Sequence, residues 1–421
     1  MPPERPSVPS ESPASAGPCV LTINGGSSSI KFAIYTAADP PARLLSGIVD
    51  RIGLPGTSLR AEGPDGRPLD QRAIDAFDHD QAAEHLIRWL LERVRRAAIV
   101  GVGHRVVHGG IHLVEHQIVT EDLIAELRRT QPLDLAHLPR EIALIEAFHR
   151  RLAGVPQVAC FDTAFHREMP QVAQMLPIPR SYHTAGVRRF GFHGLSYTYL
   201  MAELERIAGP EAAAGRVILA HLGSGASMAA VRGHKPIDTT MGFTPTAGLM
   251  MATRPGDLDP GLLVYMMRVE KLRPDEADEF ISHRCGLLGV SETTSDMRDL
   301  LELRATDPRA AEAVALFCYQ VKKWTGALAA ALGGLDTLVF AGGIGERASQ
   351  VRAEICDGLS FLGIRLDPER NAAGAPVISA QAATVTVRVM HTDEELVIAQ
   401  SICDVLRETS SPAAPARRDG P

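Results

Sequence analysis

The chain has 421 residues, 45% of them hydrophobic and 22% charged, which is enough apolar material for more than one domain with a large core. A formal net charge of −7 argues against general nucleic-acid binding but leaves room for a local basic site that takes a small anion. Six cysteines without a CxxC pair argue against a zinc site or a disulfide framework, and for a cytoplasmic protein with reduced thiols. The opening MPPERPSVPSESPASAGP lacks the apolar centre of a signal peptide, and no run is long enough for a membrane span. Residues 1–17 and 410–421 read as disordered extensions rich in proline, serine and alanine.

The first folded stretch, LTINGGSSSIKFAIY (21–35), sets two apolar strands around two glycines and three serines. Two readings stay open there: a plain hairpin tip, or a turn whose hydroxyls and N–H groups face an anion. GIVDRIGL predicts a third strand. Residues 78–97 carry apolar positions 82, 86, 89, 90 and 94, a helical spacing. AAIVGVGHRVVHGG predicts a buried strand entering a Gly/His/Arg loop. EDLIAELRRT and PREIALIEAFHRRLAG predict helices, and VPQVACFDTAFH a strand and loop. The alternation is that of an α/β domain.

A second unit of the same layout opens at Arg216, with RVILAHLGSGASMAAVRGHKPIDTTMGF. Two related halves, each opening with a strand, a Gly/Ser turn and a strand, would meet across a cleft. Helices are predicted over 258–270, 274–284 and 308–331. LDTLVFAGGIGERASQVRAEIC reads as strand, glycine turn and helix; VTVRVMHTDEEL is a last strand feeding the helix ELVIAQSICDVL. No flexible linker separates the halves, which implies a hinge rather than a tether.

Three glycine sites, GGSSS, HLGSG and GGIG, fit a nucleotide held between the halves better than three unrelated turns. None matches GxxxxGK[ST] or an N-terminal GxGxxG fingerprint. Arg105 and Arg254 lie in loops rich in glycine or proline, where they serve as structural ion-pair partners or as forks for phosphate and acyl oxygens. Asp162 follows an apolar run, at a strand end where ligands of α/β folds sit, or else caps a turn. Glu394 stands at a helix start. Two separate carboxylates without a Cys/His cluster suit Mg²⁺ carried with nucleotide phosphates. His193 and His221 adjoin Gly-rich loops and are structural or anion-stabilising. His104, His108 and His112 are spaced by four, but Gly109 and Gly110 interrupt a helical metal face.

TINGGSSSIKF, GHRVVHGG, FDTAFH, RRFGFHGLSY, HLGSGAS, DTTMGFTPTAGLMMATRPGDLDP, TTSDMRDL, AGGIGERAS and TDEELVIAQ together resemble the acetate kinase family, from about Val20 to about Asp404. The resemblance implies an α/β fold of duplicated actin-like ATPase (ribonuclease H-like) domains with an interdomain active-site cleft. The expected domains are 18–165 plus 392–409, carrying acyl-binding residues, and 166–391, carrying nucleotide-binding residues. It implies Mg-dependent phosphoryl transfer from ATP to acetate giving acetyl phosphate and ADP, with Mn²⁺ as a substitute metal, in a cytoplasmic homodimer that binds neither nucleic acid nor membrane. Carried over residue by residue, it sets Asn24, Ser27, Ser29 and Lys31 beside the phosphates, and Arg105 and Arg254 around the transferring group. Asp162 and Glu394 are the acidic positions for catalysis and Mg²⁺, with Asn24 beside the metal, and His193 stabilises the transition state. His221, Gly223, Ser224 and Gly225 form the phosphate-side loop. Asp296, Met297, Arg298, Gly343 and Gly345 lie on the adenosine side, and Arg347 lies near the nucleotide. Val107, Leu138, Phe192 and Pro245 form the pocket for the acetate methyl. A carboxylate nucleophile is already ionised, so positioning and charge neutralisation carry a direct in-line transfer.

Three departures from the family pattern surround this site. LAPLHNP is LAHLPRE here, placing Pro139 and Arg140 where the family has histidine and asparagine, with His137 two places earlier. HLGNG is HLGSG, with Ser224 for an amide, and GIGEN is GIGER, with Arg347 for an amide. The competing readings are a propionate or other short-chain acyl kinase and a nucleotide-binding regulatory protein impaired in catalysis.

Overall fold

The computed structural model describes residues 17–26, 28–134 and 137–410. Ser27 and, but for Gly17 and Ser410, the two extensions lie outside the described residues. The chain divides into two compact units, Met1–Ala164 with Glu394–Pro421, and Phe165–Asp393. No helix among the described residues is long and apolar enough to cross a membrane.

The first unit is built on β1 (Cys19–Gly25), β2 (Ser29–Thr36), β3 (Arg43–Asp50), β4 (Ser58–Glu62), β5 (Pro68–Ala73), β6 (Ile99–Val106), β7 (Gln117–Ile118) and β8 (Gln157–Phe161). They form one sheet in the order β5-β4-β3-β2-β1-β6-β8-β7. β1 is buried along its whole length, as its near-continuous apolar run requires of a central strand. It pairs antiparallel with β2 and parallel with β6, and β6 pairs parallel with β8. The β1–β2 turn is closed by the Gly26 N–H donating to the Ser29 carbonyl at 2.7 Å, a hairpin closure. A Cβ at Gly25 would lie 2.6 Å from Leu144 Cδ1, on the helix Leu138–Arg151, which accounts for glycine at the end of this strand.

Glycines also position the terminal helix. A Cβ at Gly103 would meet Ile398 Cγ2 at 2.5 Å and one at Gly101 would meet Ile402 Cγ2 at 2.6 Å. The GVG run of β6 therefore lets the helix Glu394–Ser410 lie close on the sheet, and that docking returns Glu394 to the first unit. On another face the helix His79–Leu91, capped by Asp78 accepting from Gln81 N–H, buries Leu86, Ile87, Trp89 and Leu90, with Trp89 edge-on to Phe32 at 5.5 Å.

The second unit repeats the central topology. β9 (Arg216–Leu222), β10 (Ala226–Arg232), β11 (Lys235–Thr239), β12 (Thr337–Ala341) and β13 (Thr386–Val389) lie in the order β11-β10-β9-β12-β13. β9–β10 and β10–β11 are antiparallel, and β9–β12 and β12–β13 parallel. This matches β3-β2-β1-β6-β8 in order and direction, so the repeated strand–turn–strand pattern in the sequence reflects a repeated sheet.

Most predicted elements form within a few residues of their expected ends. The predicted helix over 78–97 ends at Leu91, and the third strand runs Arg43–Asp50, stopped where Arg51 takes a positive φ of 61°. GGIG departs more: Gly342–Arg347 is itself helical, with φ of 75° at Gly342, so its glycines begin a helix instead of forming a separate turn before one. A Cβ on Gly342 would lie 2.7 Å from the Leu222 carbonyl, which is why that position is glycine.

Candidate active site

The carboxyl ends of three neighbouring parallel strands in the first unit carry three of the polar and charged residues that the sequence singles out. Asn24 lies near the end of β1, Arg105 near the end of β6, and Asp162 immediately after β8. Ligands of open α/β sheets gather at such ends. The Arg105 guanidinium donates from Nε to Asp162 Oδ2 at 3.2 Å, pairs with the same oxygen through Nη2, and donates from Nη1 to Asn24 Oδ1 at 3.3 Å. Glu394 completes the group: its Oε2 accepts from Asn24 Nδ2 at 3.3 Å and stands 3.9 Å from Arg105 Nε. Asp162 is fully buried and the Arg105 side chain 16% exposed. Burial opposes the guanidinium charge, but the Asp162 and Glu394 carboxylates outweigh it and hold Arg105 protonated well above its ordinary range. Ser29 begins β2, and Lys31, opposite Asn24 in the β1–β2 register, is exposed. Val107 and Leu138 are buried.

The second unit gathers another set around the β9–β10 turn, Gly223–Gly225, closed by Gly223 N–H donating to the Gly225 carbonyl at 3.0 Å. His193 takes a left-handed backbone (φ 58°) just before the helix Gly194–Ala208, and its ring stacks on His221 with centroids 4.4 Å apart. His193 Nδ1 is 2.8 Å from Ser227 Oγ, which also bonds the Tyr197 hydroxyl; His221 Nδ1 is 2.8 Å from Ser196 Oγ. Both rings are thus oriented through one nitrogen. A Cβ on Gly225 would lie 3.1 Å from Arg254 Nη2 and 3.2 Å from His193 Nε2, so this turn, Arg254 and His193 touch. Arg254 donates to the Pro245 carbonyl at 2.7 Å, and the Phe192 carbonyl bonds the buried His166 ring at 3.0 Å.

Beside this group a cavity of about 480 Å³ opens, lined among others by Gly223, Ser224, Asp296, Met297, Arg298, Gly343 and Arg347. Asp296 caps the helix Met297–Leu303 and accepts from Arg298 Nε at 3.0 Å, an interaction that draws its carboxyl below the usual range. Gly345 lies in the same helix as Gly343, and its Cβ position faces the backbone of Phe340 instead of appearing in the lining.

Sequence reasoning passed over several residues here. Glu141 is 3% exposed, and its Oε2 accepts from Val107 N–H at 3.0 Å. Burial pushes its carboxyl up to about 8, with Arg105 and the Val107 amide pulling the other way. It stands in the first turn of the helix Leu138–Arg151. Asp134 holds His137, accepting from its backbone N–H at 3.1 Å and meeting its Nδ1 at 2.9 Å. Pro139 then stands in the first turn of Leu138–Arg151, where its missing N–H costs nothing. Residues 137–141 of the altered segment therefore form a braced helix start.

Residues 19–400 match the model of the Acetokinase family. An acetate kinase of Nitrobacter hamburgensis is 43% identical over 396 residues, covering 93% of this chain and 97% of that protein. The crystal structure of Porphyromonas gingivalis acetate kinase superposes with a TM-score of 0.83 at 37% identity, over 93% of this chain and all of that one. A propionate kinase from Francisella tularensis gives a TM-score of 0.86 at 32% identity, over 92% and 100%. The repeated sheet is accordingly that of the actin-like ATPase fold shared by these kinases. With a family match spanning nearly all the folded chain and relatives of this similarity, the chain belongs to the acetokinase family.

Proposed function

We propose that this chain transfers the γ-phosphoryl group of ATP reversibly to acetate, giving acetyl phosphate and ADP. Membership of the acetokinase family makes it a phosphotransferase acting on a carboxyl group. The observation that carries the reading is the buried Arg105 cluster: a guanidinium fixed by Asp162, Asn24 and Glu394 at the carboxyl ends of parallel strands. In the proposed step an acetate oxygen forms a bond to phosphorus as the bond to the β–γ bridging oxygen breaks, its electron pair leaving on ADP. Arg105, Arg254 and His193 neutralise the equatorial oxygens, and no general base is needed because the acid is already ionised. The first unit is assigned the acyl side, with Val107 and Leu138, and the second the nucleotide side, with the cavity along Gly343; Phe192 and Pro245 add to the acyl pocket.

The donor set of the Arg105 cluster, two carboxylates and an amide oxygen, is the hard-oxygen chemistry that Mg²⁺ or Mn²⁺ takes when it arrives with nucleotide phosphates. Glu394 and Asn24, with Asp162 beside them, would hold it, and it would supply charge neutralisation at the phosphates. Leu262, Val264, Tyr265, Met267 and Val269 leave the helix Pro260–Val269 apolar and exposed, which supports a homodimer through this face. Sedimentation at one subunit mass would remove that assignment. We place the enzyme in the cytoplasm, consistent with cysteines that are all free.

The deciding assay traps acyl phosphate with hydroxylamine from purified protein, ATP and Mg²⁺, offering acetate, propionate and butyrate in parallel with Arg105→Ala and Arg254→Ala. Acetate turnover that collapses in both variants is the expected result. Preference for propionate would move the substrate by one methylene, a discrimination worth about 1–3 kcal/mol. ATP binding by folded protein without acyl phosphate from any acid would favour a regulatory nucleotide-binding role.

A further inference from the structure

His193 and Tyr197 stand one turn apart at the start of the helix Gly194–Ala208, and the Tyr197 N–H donates to the His193 carbonyl at 3.0 Å. Ser227, on β10, reaches between their side chains: its Oγ lies 2.8 Å from His193 Nδ1 and also bonds the Tyr197 hydroxyl. Both Ser227 and Tyr197 are fully buried. The Tyr197 ring is held edge-on to His166 at 5.7 Å and beside Phe165 at 5.6 Å, so its hydroxyl has a fixed place. No further partner of Ser227 Oγ lies among the described residues.

Donor and acceptor accounting places the hydrogens of this group. A serine hydroxyl has one hydrogen. If an Nδ1–H and the phenol both donated to Ser227, that hydrogen would stay in the core without an acceptor. If the bonds ran from Nδ1–H through Ser227 to Tyr197, the aliphatic hydroxyl would donate to the phenol, which is the more acidic of the two and the better donor. The remaining arrangement satisfies every group: Tyr197 donates to Ser227, and Ser227 donates to Nδ1. A ring nitrogen that accepts carries no hydrogen, so the His193 ring is neutral and its one N–H is at Nε2. That is the nitrogen 3.2 Å from the Cβ position of Gly225, where Arg254 Nη2 also stands at 3.1 Å. An imidazolium there would press its charge against the guanidinium while stacked on the His221 ring at 4.4 Å.

We propose that Tyr197 and Ser227 are positioning residues for phosphoryl transfer: their hydrogen-bond relay holds His193 as the neutral Nε2–H tautomer, which presents a donor to a phosphoryl oxygen. The ring keeps its hydrogen throughout the step. Its share of the neutralisation is the N–H dipole, and the full positive charge at this turn is that of Arg254. With the hydrogen on Nδ1 instead, the Nε2 lone pair would face the phosphoryl oxygen and repel it. The inference rests on the role proposed above for His193 at the transferring group.

The first test is the ¹⁵N spectrum of the histidine rings in the full chain, with the His193 signals identified by their loss in His193→Gln. A hydrogen on Nε2 and a bare Nδ1 are expected; a hydrogen on Nδ1, or on both nitrogens, would overturn the proposal. The second test is the kinetics of acetyl phosphate formation, with melting curves showing that each variant is folded. Ser227→Ala should lower kcat about tenfold while KM for ATP and for acetate stays within about threefold, and Ser227→Thr, which keeps the hydroxyl, should restore most of the loss. Tyr197→Phe leaves Ser227 bonded to Nδ1, so its kcat should fall only about threefold and its ring hydrogen should stay on Nε2. An unchanged kcat in Ser227→Ala overturns the positioning role, and so does a loss confined to KM. If Ser227→Ala fails to fold, the spectra of the wild type and Tyr197→Phe still decide. Should no acid yield acyl phosphate, the acyl kinase reading fails by itself, and the ring spectrum settles the tautomer independently.

Discussion

Replacing Glu141 by glutamine should stabilise the protein increasingly as pH rises. The side chain is 3% exposed, with Oε2 bonded to the Val107 amide and Oε1 buried without a partner among the described residues. Its carboxyl is pushed from 4.5 up to about 8, by burial first, with Arg105 opposing. Below about pH 4.5 the carboxyl is protonated in the folded and unfolded chain alike, and its contribution to stability is intact. Between 4.5 and 8 the unfolded chain releases the proton while the folded one keeps it, so native stability falls as pH rises. Above 8 the loss is complete, on the order of a few kcal/mol at ~1.4 kcal/mol per pH unit of separation. Glutamine retains a carbonyl acceptor for Val107 and has no proton to lose. Any penalty from its unpartnered amide is the same at every pH. Thermal melts of the full chain between pH 5 and 9 should show Glu141→Gln near the wild type at pH 5. At pH 8.5 it should melt higher by at least about 4 °C, taking ~2–4 °C per kcal/mol for a unit of this size. A difference in Tm that does not change with pH, or that shrinks as pH rises, would refute the reasoning.

Two further predictions concern the groups proposed to act in phosphoryl transfer. Arg105→Ala leaves the fully buried Asp162 without its guanidinium, and Asp162→Ala leaves Arg105 facing Asn24 and Glu394; each should cost about 3–5 kcal/mol. The double variant should cost less than the sum of the two, and strict additivity in denaturant titrations would show that the pair is not coupled. Gly225→Ala places a methyl 3.1 Å from Arg254 Nη2 and 3.2 Å from His193 Nε2, side-chain ends that can yield by a few tenths of an ångström. Melting should shift by no more than about 2 °C while kcat falls about tenfold or more, and an unaltered kcat would separate these two groups from the chemistry.

How much of the fold the sequence shows depends on where burial acts. β1, β6, β8, β9 and β12 sit inside their sheets and read as short, nearly continuous apolar runs. β4 and β5, SLRAE and PLDQRA, lie at the open edge of the first sheet with mostly exposed or alternating side chains; their polar composition gives no strand signal. β7 is two residues long and exists through its pairing with β8. GGIG misleads for a related reason. Glycine is a poor helix former in isolation, but here Gly342 is required by the Leu222 backbone and the segment still closes a helical turn. Local propensity loses to a close approach that only the folded chain contains.

The site divides along a similar line. Asn24, Arg105, Asp162, Glu394, His193 and Arg254 are legible through the family resemblance, because each falls inside one of its motifs. The groups that orient them are not. Ser227 and Ser196, which set the ring nitrogens of His193 and His221, are ordinary serines until β10 and the helix Gly194–Ala208 bring them there. Glu141 reads as a helix-start carboxylate until its helix packs against the end of β6. The departures from the family follow from this division. Pro139 and Arg140 stand in a helix start that Asp134 and His137 brace, while Arg105 keeps its bond to Asp162. Ser224 and Arg347, 123 positions apart in sequence, line one cavity. Two of the departures thus meet only in the folded chain, where a cavity brings together positions that the sequence keeps far apart.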